Sequence, residues 1–352
     1  MMKRANTLHM ENTTYDKCIE LTNKFNYYVK DIKKKLDDFD NENRNFKKQI
    51  SFLEDQKKEI YKRFDIYFKQ LWKLVVELDA ERQKSLLRRY NKEFKALFGE
   101  SIEINWHIYS KPFGYSGDYV AMNYIFDYSG HNYLGKTSFQ RLINNYTCNI
   151  PFAISNIARK NYLKTKILET INMNSAPRIL SVGGGSMREL TELLEEGKIR
   201  KKTEIFCLDF EKKAISFVRK KISKLNPDCR KKLKANYILK NILDILLTPV
   251  GGKKFNLIYA SGLFDYLTDG ICKKVANKLL NSLEDKGVLI ICNASISHVT
   301  HRAYYEFLGG WKMIYRKEQD MLSWMKDSKG ISKIKFDRPS DDVSYLFMRI
   351  EK

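Results

Sequence analysis

The stretch Ile179-Leu180-Ser181-Val182-Gly183-Gly184-Gly185-Ser186-Met187, followed by Glu204-Ile205-Phe206-Cys207-Leu208-Asp209, decides the fold. One short apolar run stops on three adjacent glycines, and the next stops on a carboxylate. Read outward to Ile291, the pattern is strand, glycine turn, helix, strand ending in an acid, helix, strand, polar turn, helix, strand. That alternation builds a parallel sheet with helices on its faces. Three glycines let the backbone approach a ligand with no Cβ in the way. An acid at the end of the next strand can accept from ribose hydroxyls. The two features together imply an adenosine-containing ligand.

The rest of the core follows the same rhythm. Residues 211–225 read as a helix ended by Asn226-Pro227, and a third strand over 236–239 leads to Asn241 and Asp244. A fourth strand, 255–259, runs into Ala260-Ser261-Gly262-Leu263-Phe264-Asp265-Tyr266. A helix over 269–282 and a turn at Lys286-Gly287 precede a fifth strand over 288–292 that ends at Asn293. The tail differs in kind: 334–338 and 343–350 read as strands around a turn at 339–342, a hairpin closing the sheet.

Upstream, apolar residues recur in steps of three and four. Tyr15, Cys18, Thr22, Phe25, Val29, Ile32, Leu36 and Phe39 form one stripe, and the series from Phe46 through Leu53, Ile60 and Phe64 to Leu74 forms another, broken at 40–43. Two long helices are expected, paired within the chain or with a partner, with a third over about 79–97. Between them and the sheet lies Lys111-Pro112-Phe113-Gly114-Tyr115-Ser116-Gly117-Asp118-Tyr119, a glycine-shaped loop carrying a carboxylate and phenols, followed by helical residues 139–171. The expected organisation is a helical N-terminal domain over 1–100 serving as cap or dimerisation element, connecting lid and helices over 101–175, and a ligand-binding α/β domain over 176–352.

Composition narrows the classes. The chain has 352 residues, of which 43% are hydrophobic, enough for a packed core. No apolar run reaches the roughly 18 residues of a membrane span, and the start of the chain does not read as a signal peptide. Six scattered cysteines without a CxxC pair argue against disulfides or a metal site and for a reducing cytoplasm. The net charge is +22, and residues 198–240 carry 15 Lys/Arg against four acids, about half of the excess. Such a face can attract nucleic acid, but it lacks interleaved aromatics for base stacking and reads as well as a solvated lysine-rich surface.

Residue 188 is Arg, so the dinucleotide fingerprint G-x-G-x-x-G is incomplete, and the sheet ends in an antiparallel pair. This layout resembles the class I S-adenosyl-L-methionine (SAM)-dependent methyltransferases, a doubly wound Rossmann-like sheet ending in an antiparallel hairpin, over roughly 176–352. The Gly114-Tyr115-Ser116-Gly117-Asp118-Tyr119 loop, the Ser261-Gly262-Leu263-Phe264-Asp265-Tyr266-Leu267 turn and Trp311 with Tyr315-Arg316 are similar to a bacterial subfamily that includes enzymes forming methyl esters of 3-hydroxy fatty acids. The resemblance implies that Gly183, Gly184 and Gly185 pass close to the methionine part of SAM, that Asp209 accepts from the ribose hydroxyls, and that Phe210 lies beside the adenine. It places Asn241 and Ile242 at the adenine edge, with Asp244 as a competing choice, and Ser261 and Gly262 facing the methyl donor. Ser181 stands where these enzymes usually carry an acid. Tyr115, Asp118, Asp265 and Tyr266 are candidates for catalysis, and Tyr119, Arg159, Asn293 and Tyr315 for holding the substrate. Each has a plainer reading: Asp265 as a helix cap, Tyr266 as core, Tyr315 and Arg316 as surface, and His298 and His301 as ordinary packed histidines.

A sulfonium-bound methyl group needs alignment more than activation. A carboxylate acceptor is already ionised, whereas a hydroxyl or amine needs a base, for which Asp118, Asp265, Tyr115 and His298 are the candidates. The sequence shows no clear Asp-His or Cys-His pair. The expected function is therefore SAM-dependent methylation of a small or acyl-type metabolite, at a carboxylate or hydroxyl oxygen. Two alternatives stand beside it: cleavage of another sulfonium bond with release of methylthioadenosine, and an RNA methyltransferase or basic nucleic-acid-binding protein.

Overall fold

The computed structural model describes residues 2–99, 102–247, 252–297, 301–339 and 344–352. The chain divides into two compact units, each gathered from separated segments. The first comprises Met1–Gly117, Tyr124–Ala153 and Thr300–Lys312, and the second Asp118–Asn123, Ile154–Val299 and Met313–Lys352. Residues 124–153 and 301–312 belong with the N-terminal helices in the first unit.

The first unit is built on α1 (Met2–Glu42), α2 (Phe46–Val75), α3 (Ala80–Phe94), α4 (Glu103–Ser110), the later part of α5 (Tyr119–Tyr128) and α6 (Ser138–Asn149). Cys18, Thr22, Phe25, Val29, Ile32 and Leu36 of α1 are buried, as their spacing predicts. On α2 the buried stripe is rotated from the expected one. Gln49, Phe68 and Val75 join Leu53, Ile60, Phe64, Tyr67 and Leu71, while Phe46 is exposed and packs on the Arg141 guanidinium, 4.8 Å from its ring centroid. Aromatic rings fill the centre: Phe25 stacks on Tyr67 at 3.6 Å, and Phe64 meets Tyr146 edge-on at 5.1 Å. Asp40 at the end of α1 accepts from the Ser138 amide at 2.7 Å and so caps α6.

The second unit carries a seven-stranded sheet of order β3-β2-β1-β4-β5-β7-β6. Its strands are β1 (Arg178–Val182), β2 (Thr203–Asp209), β3 (Leu233–Leu239), β4 (Phe255–Ala260), β5 (Leu283–Ala294), β6 (Lys333–Asp337) and β7 (Tyr345–Glu351). The first five run parallel, and β7 pairs antiparallel with both β5 and β6. The α/β fold and terminal hairpin expected from the sequence are present. Helices α7 (Pro151–Met173), α8 (Arg188–Glu195), α9 (Lys212–Ser223), α10 (Pro227–Lys231), α11 (Asp269–Asn281) and α12 (Glu318–Ser323) accompany the strands. Leu180, Val182, Ile258, Ala260 and Ile291 pack on one side with Cys272, Val275 and Leu279 of α11. The central strands are apolar almost throughout because both faces are covered.

One expectation changes. Lys286-Gly287 is not a turn before β5 but an irregularity inside it, where the register with β4 slips between Phe255 and Leu257. A Cβ on Gly287 would lie 2.9 Å from the carbonyl oxygens of Glu284 and Phe255, so the backbone passes there only as glycine. The turn expected at 339–342 lies, beyond Pro339, outside the described residues.

Candidate active site

The second unit gathers its polar groups at the carboxyl ends of β1, β2, β4 and β5, where an open α/β sheet binds ligands. Gly183 and Gly185 hold φ of 64° and 54°, a left-handed conformation that favours glycine. The amides of Gly183 and Gly184 both donate to the Leu208 carbonyl, at 2.9 and 3.1 Å, which ties the turn to the end of β2. Gly184 is tightly seated: a Cβ there would come 2.9 Å from Cys207 Sγ.

Asp209 is buried and fastens this corner. One carboxylate oxygen accepts from Gly185 N–H and the other from Glu211 N–H, both at 2.8 Å. Burial raises its pKa, against the pull of these amide donors. Each oxygen keeps a further lone pair for a ligand. Phe210 is 51% exposed and Leu239, opposite Asp209 in the β2–β3 register, is 52% exposed, so an open apolar rim borders the carboxylate. Leu243 is also exposed. Asn241 caps the short 3-10 turn that follows: its Oδ1 accepts from Leu243 N–H at 2.9 Å, while its own N–H donates to Asp244 Oδ2 at 3.0 Å. Ile242 is 8% exposed and joins the core.

Beyond β4, Ser261 and Gly262 are half-buried and Asp265 is buried. Asp265 Oδ1 accepts from Ala294 N–H at 2.6 Å. Desolvation pushes its carboxyl up to about 6, opposed by Arg159, the Ala294 amide and Arg316. Its reading as a cap for α11 is not realised, since it bonds to β5 instead. Tyr266 is 38% exposed rather than core.

Arg159 on α7 is buried against Gly262, whose missing Cβ would stand 3.3 Å from Nη1 and 3.4 Å from Nη2. Nη2 donates to Asn156 Oδ1 at 2.7 Å, the guanidinium lies 4.3 Å from the Tyr345 ring centroid, and Nη1 has no hydrogen-bond partner among the described residues. Burial opposes its charge, but the acidic groups of Tyr345, Cys292, Asp265 and Tyr266 outweigh this and hold its pKa above the usual arginine value.

Asn293 is fully buried and saturated by its own structure: Nδ2 donates to the Ile314 carbonyl at 2.9 Å, and Oδ1 accepts from Arg316 Nη1 at 2.7 Å. Arg316, read from sequence as surface, is 2% exposed and also donates to the carbonyls of Phe264 and Leu267. Tyr315 beside it is half-buried. Asp118 is buried at the start of α5, where Oδ1 accepts from Val120 and Ala121 N–H at 2.8 and 3.0 Å. Tyr119 sets its Cβ 3.8 Å from where a Gly185 side chain would begin, and its ring 5.4 Å from that of Phe217. Tyr115 belongs to the first unit and is half-buried. His301 belongs there too, with Nε2 2.9 Å from Asp65 Oδ1. His298 lies outside the described residues.

Three participants were not singled out in the sequence. Glu189, on the first turn of α8, is 7% exposed and accepts from Tyr259 OH at 2.6 Å. Burial raises its pKa. Asn156 and Tyr345 hold Arg159 from opposite ends of the unit's sequence, and Tyr345 OH donates to Asn156 Oδ1 at 3.2 Å. A sequence clue existed only for Glu189, an acid among the apolar positions of an amphipathic helix.

Residues 173–333 match the family model described as a methyltransferase domain. No curated protein matches the chain. The chain is similar in structure to a possible exported protein from Bordetella parapertussis, at 12% identity and a TM-score of 0.55, covering 78% of this chain and 97% of that one. That similarity is one of fold. A SAM-dependent methyltransferase from Clostridium acetobutylicum aligns at 16% identity and a TM-score of 0.39, covering 56% of this chain and 91% of that one. Magnesium protoporphyrin IX methyltransferase from Synechocystis, with bound S-adenosylhomocysteine (SAH), aligns at 10% identity and a TM-score of 0.41, covering 57% and 85%. Residues 173–333 thus carry a methyltransferase domain, for which SAM is the expected cofactor. Its residues suit the cofactor: the glycine turn leaves room that side chains would fill, Asp209 keeps acceptor capacity, and Arg159 Nη1 is a buried donor without a hydrogen-bond partner among the described residues. Among the described residues no cluster of His, Cys, Asp and Glu could hold a metal ion, and no helix is long and apolar enough to cross a membrane.

Proposed function

We propose that the acceptor is a small or acyl-type metabolite methylated on a carboxylate oxygen. One observation carries this reading: the buried thiol beside the site is a poor base, Cys292 being pushed up to about 12 by burial. The Asp265 carboxyl is pushed up to about 6 by burial, and its Oδ1 is engaged by the Ala294 amide. An acceptor that arrives ionised requires no proton removal, and such a set of residues serves it. The resemblance to the bacterial subfamily forming 3-hydroxy fatty acid methyl esters agrees with a carboxylate.

SAM supplies a methyl group on a sulfonium, already a strong electrophile. The protein's part is to align and to exclude water. Asp209 and the backbone of Gly183, Gly184 and Gly185 would hold the ribose side, with Phe210, Asn241 and Ile242 around the adenine. Ser261 and Gly262 would line the reacting end, with Tyr119, Tyr266 and Tyr315 supplying aromatic walls for the acceptor. We assign Asn293 and Asp118 positioning roles, since their side chains serve Arg316 and the start of α5.

The test incubates the purified chain with SAM and a series of hydroxylated and plain fatty acids, with products read by mass spectrometry. The expected result is SAH together with an alkali-labile methyl ester. An alkali-stable methyl ether would move the acceptor atom to a hydroxyl. Methylthioadenosine formed from SAM alone, with no methylated acid, would overturn the reading.

A further inference from the structure

Three ionisable groups of the second unit are buried: Arg159, Glu189 and Asp265, at 6%, 7% and 2% exposure. No direct ion pair joins any two of them among the described residues. Each rests on a neutral partner, Asn156 for Arg159, Tyr259 for Glu189 and the Ala294 amide for Asp265. An isolated buried guanidinium with an unmade hydrogen bond is costly. Here the orphaned Nη1 lies over the α-carbon of Gly262, the one residue type that leaves that approach open.

The strand order fixes what lies within reach. Asp209 ends β2, the glycine turn ends β1, and Gly262 follows β4, three neighbouring strands. Two strand spacings amount to roughly 10 Å. That is the scale of a ribose joined through one sulfur and two methylenes to an amino acid. We propose that Arg159 and Glu189 form the subsite for the amino-acid end of SAM, Arg159 forking onto its carboxylate and Glu189 facing its ammonium. The inference rests on SAM as the cofactor and moves Arg159, expected from sequence on the substrate, to the cofactor side. The charges match in number: one guanidinium for one carboxylate, one carboxylate for one ammonium. Asp265, in the same turn after β4 as Gly262, then adds a negative field for the sulfonium.

The experiment compares two ligands by calorimetry on the full chain. SAH carries the amino-acid end and methylthioadenosine lacks it. Glu189→Gln retains an acceptor for Tyr259 OH, and Arg159→Met retains volume. Each variant is expected to weaken SAH binding by about 10-fold to 100-fold, the scale of a hydrogen bond to a charged group, and to leave methylthioadenosine unchanged. Equal losses for both ligands, or no loss for SAH, would overturn the subsite. If Arg159→Met does not fold, the wild-type chain decides through decarboxylated SAM: weaker binding than SAM supports the arginine contact, and equal binding overturns it. A wild-type chain that binds SAH no better than methylthioadenosine overturns the subsite alone. One that binds neither SAM nor SAH removes the cofactor reading beneath it.

Discussion

Asp209 braces the glycine turn and β2 through two amide donors while remaining able to accept from a ribose. Asp209→Ala is therefore expected to weaken SAM binding by about 1.5 to 3 kcal/mol, measured by calorimetry; unchanged affinity would refute the ribose assignment. Asp265 predicts a pH effect. Its carboxyl sits at about 6 in the folded chain, against about 3.9 when unfolded. Between those values the unfolded chain releases the proton and the folded chain keeps it. Stability from this group thus falls as pH rises from about 4 to about 6, and is level above. Replacing it by Asn, which keeps an acceptor for Ala294 N–H, removes the effect. The stability of Asp265→Asn relative to wild type should rise by on the order of 2 kcal/mol between pH 4 and pH 7 in denaturant titrations. A constant difference would show that the carboxyl is not desolvated as described.

At the scale of elements, one side chain makes the largest set of bonds to the turn after β4, beside the Asp265 bond to Ala294 N–H. Arg316 spans the carbonyls of Phe264 and Leu267, Asn293 at the end of β5, and Asp269 on α11. Those two carbonyls and the Asn293 amide oxygen have this guanidinium in common. Arg316→Met is expected to cost about 3 to 5 kcal/mol, because it strands buried acceptors, with Arg316→Lys recovering only part. Chemical denaturation checks it, and a cost below about 1 kcal/mol would mean the turn holds itself. The glycine turn is different in kind, since its shape is set by backbone conformation and by the close pass to Cys207.

For the whole molecule, ligand linkage gives the broadest check. A ligand that binds only the folded chain stabilises it by about 2.7 kcal/mol at 100 times its dissociation constant. SAH at that excess should raise the unfolding midpoint of the wild-type chain, and Asp209→Ala should need a correspondingly higher concentration for the same shift. No rise at any concentration would contradict a preformed SAM site.

The alternation of strand and helix signals, the glycine triplet and the strand-end Asp209 were legible because local rules govern them: period-2 and period-3.6 apolar patterns, backbone freedom at glycine, and a strand that stops on an acid. The two-helix stripe of α1 and α2 was legible for the same reason, apart from a rotation on α2 where Phe46 turned to Arg141. What local rules do not carry is which distant side chains share an interior. Arg316 reads equally as surface until its segment bridges to the end of β5, and Asn293 looks like a ligand contact until Arg316 consumes it. Arg159 and Tyr345 are separated by most of the second unit's sequence and meet only because the fold brings α7 beside β7. Sequence by itself determined the α/β core and the glycine turn with its strand-end Asp209, whose information sits within consecutive residues. The tertiary structure alone decided the buried charges, because burial and pairing are properties of neighbours brought together by strand order.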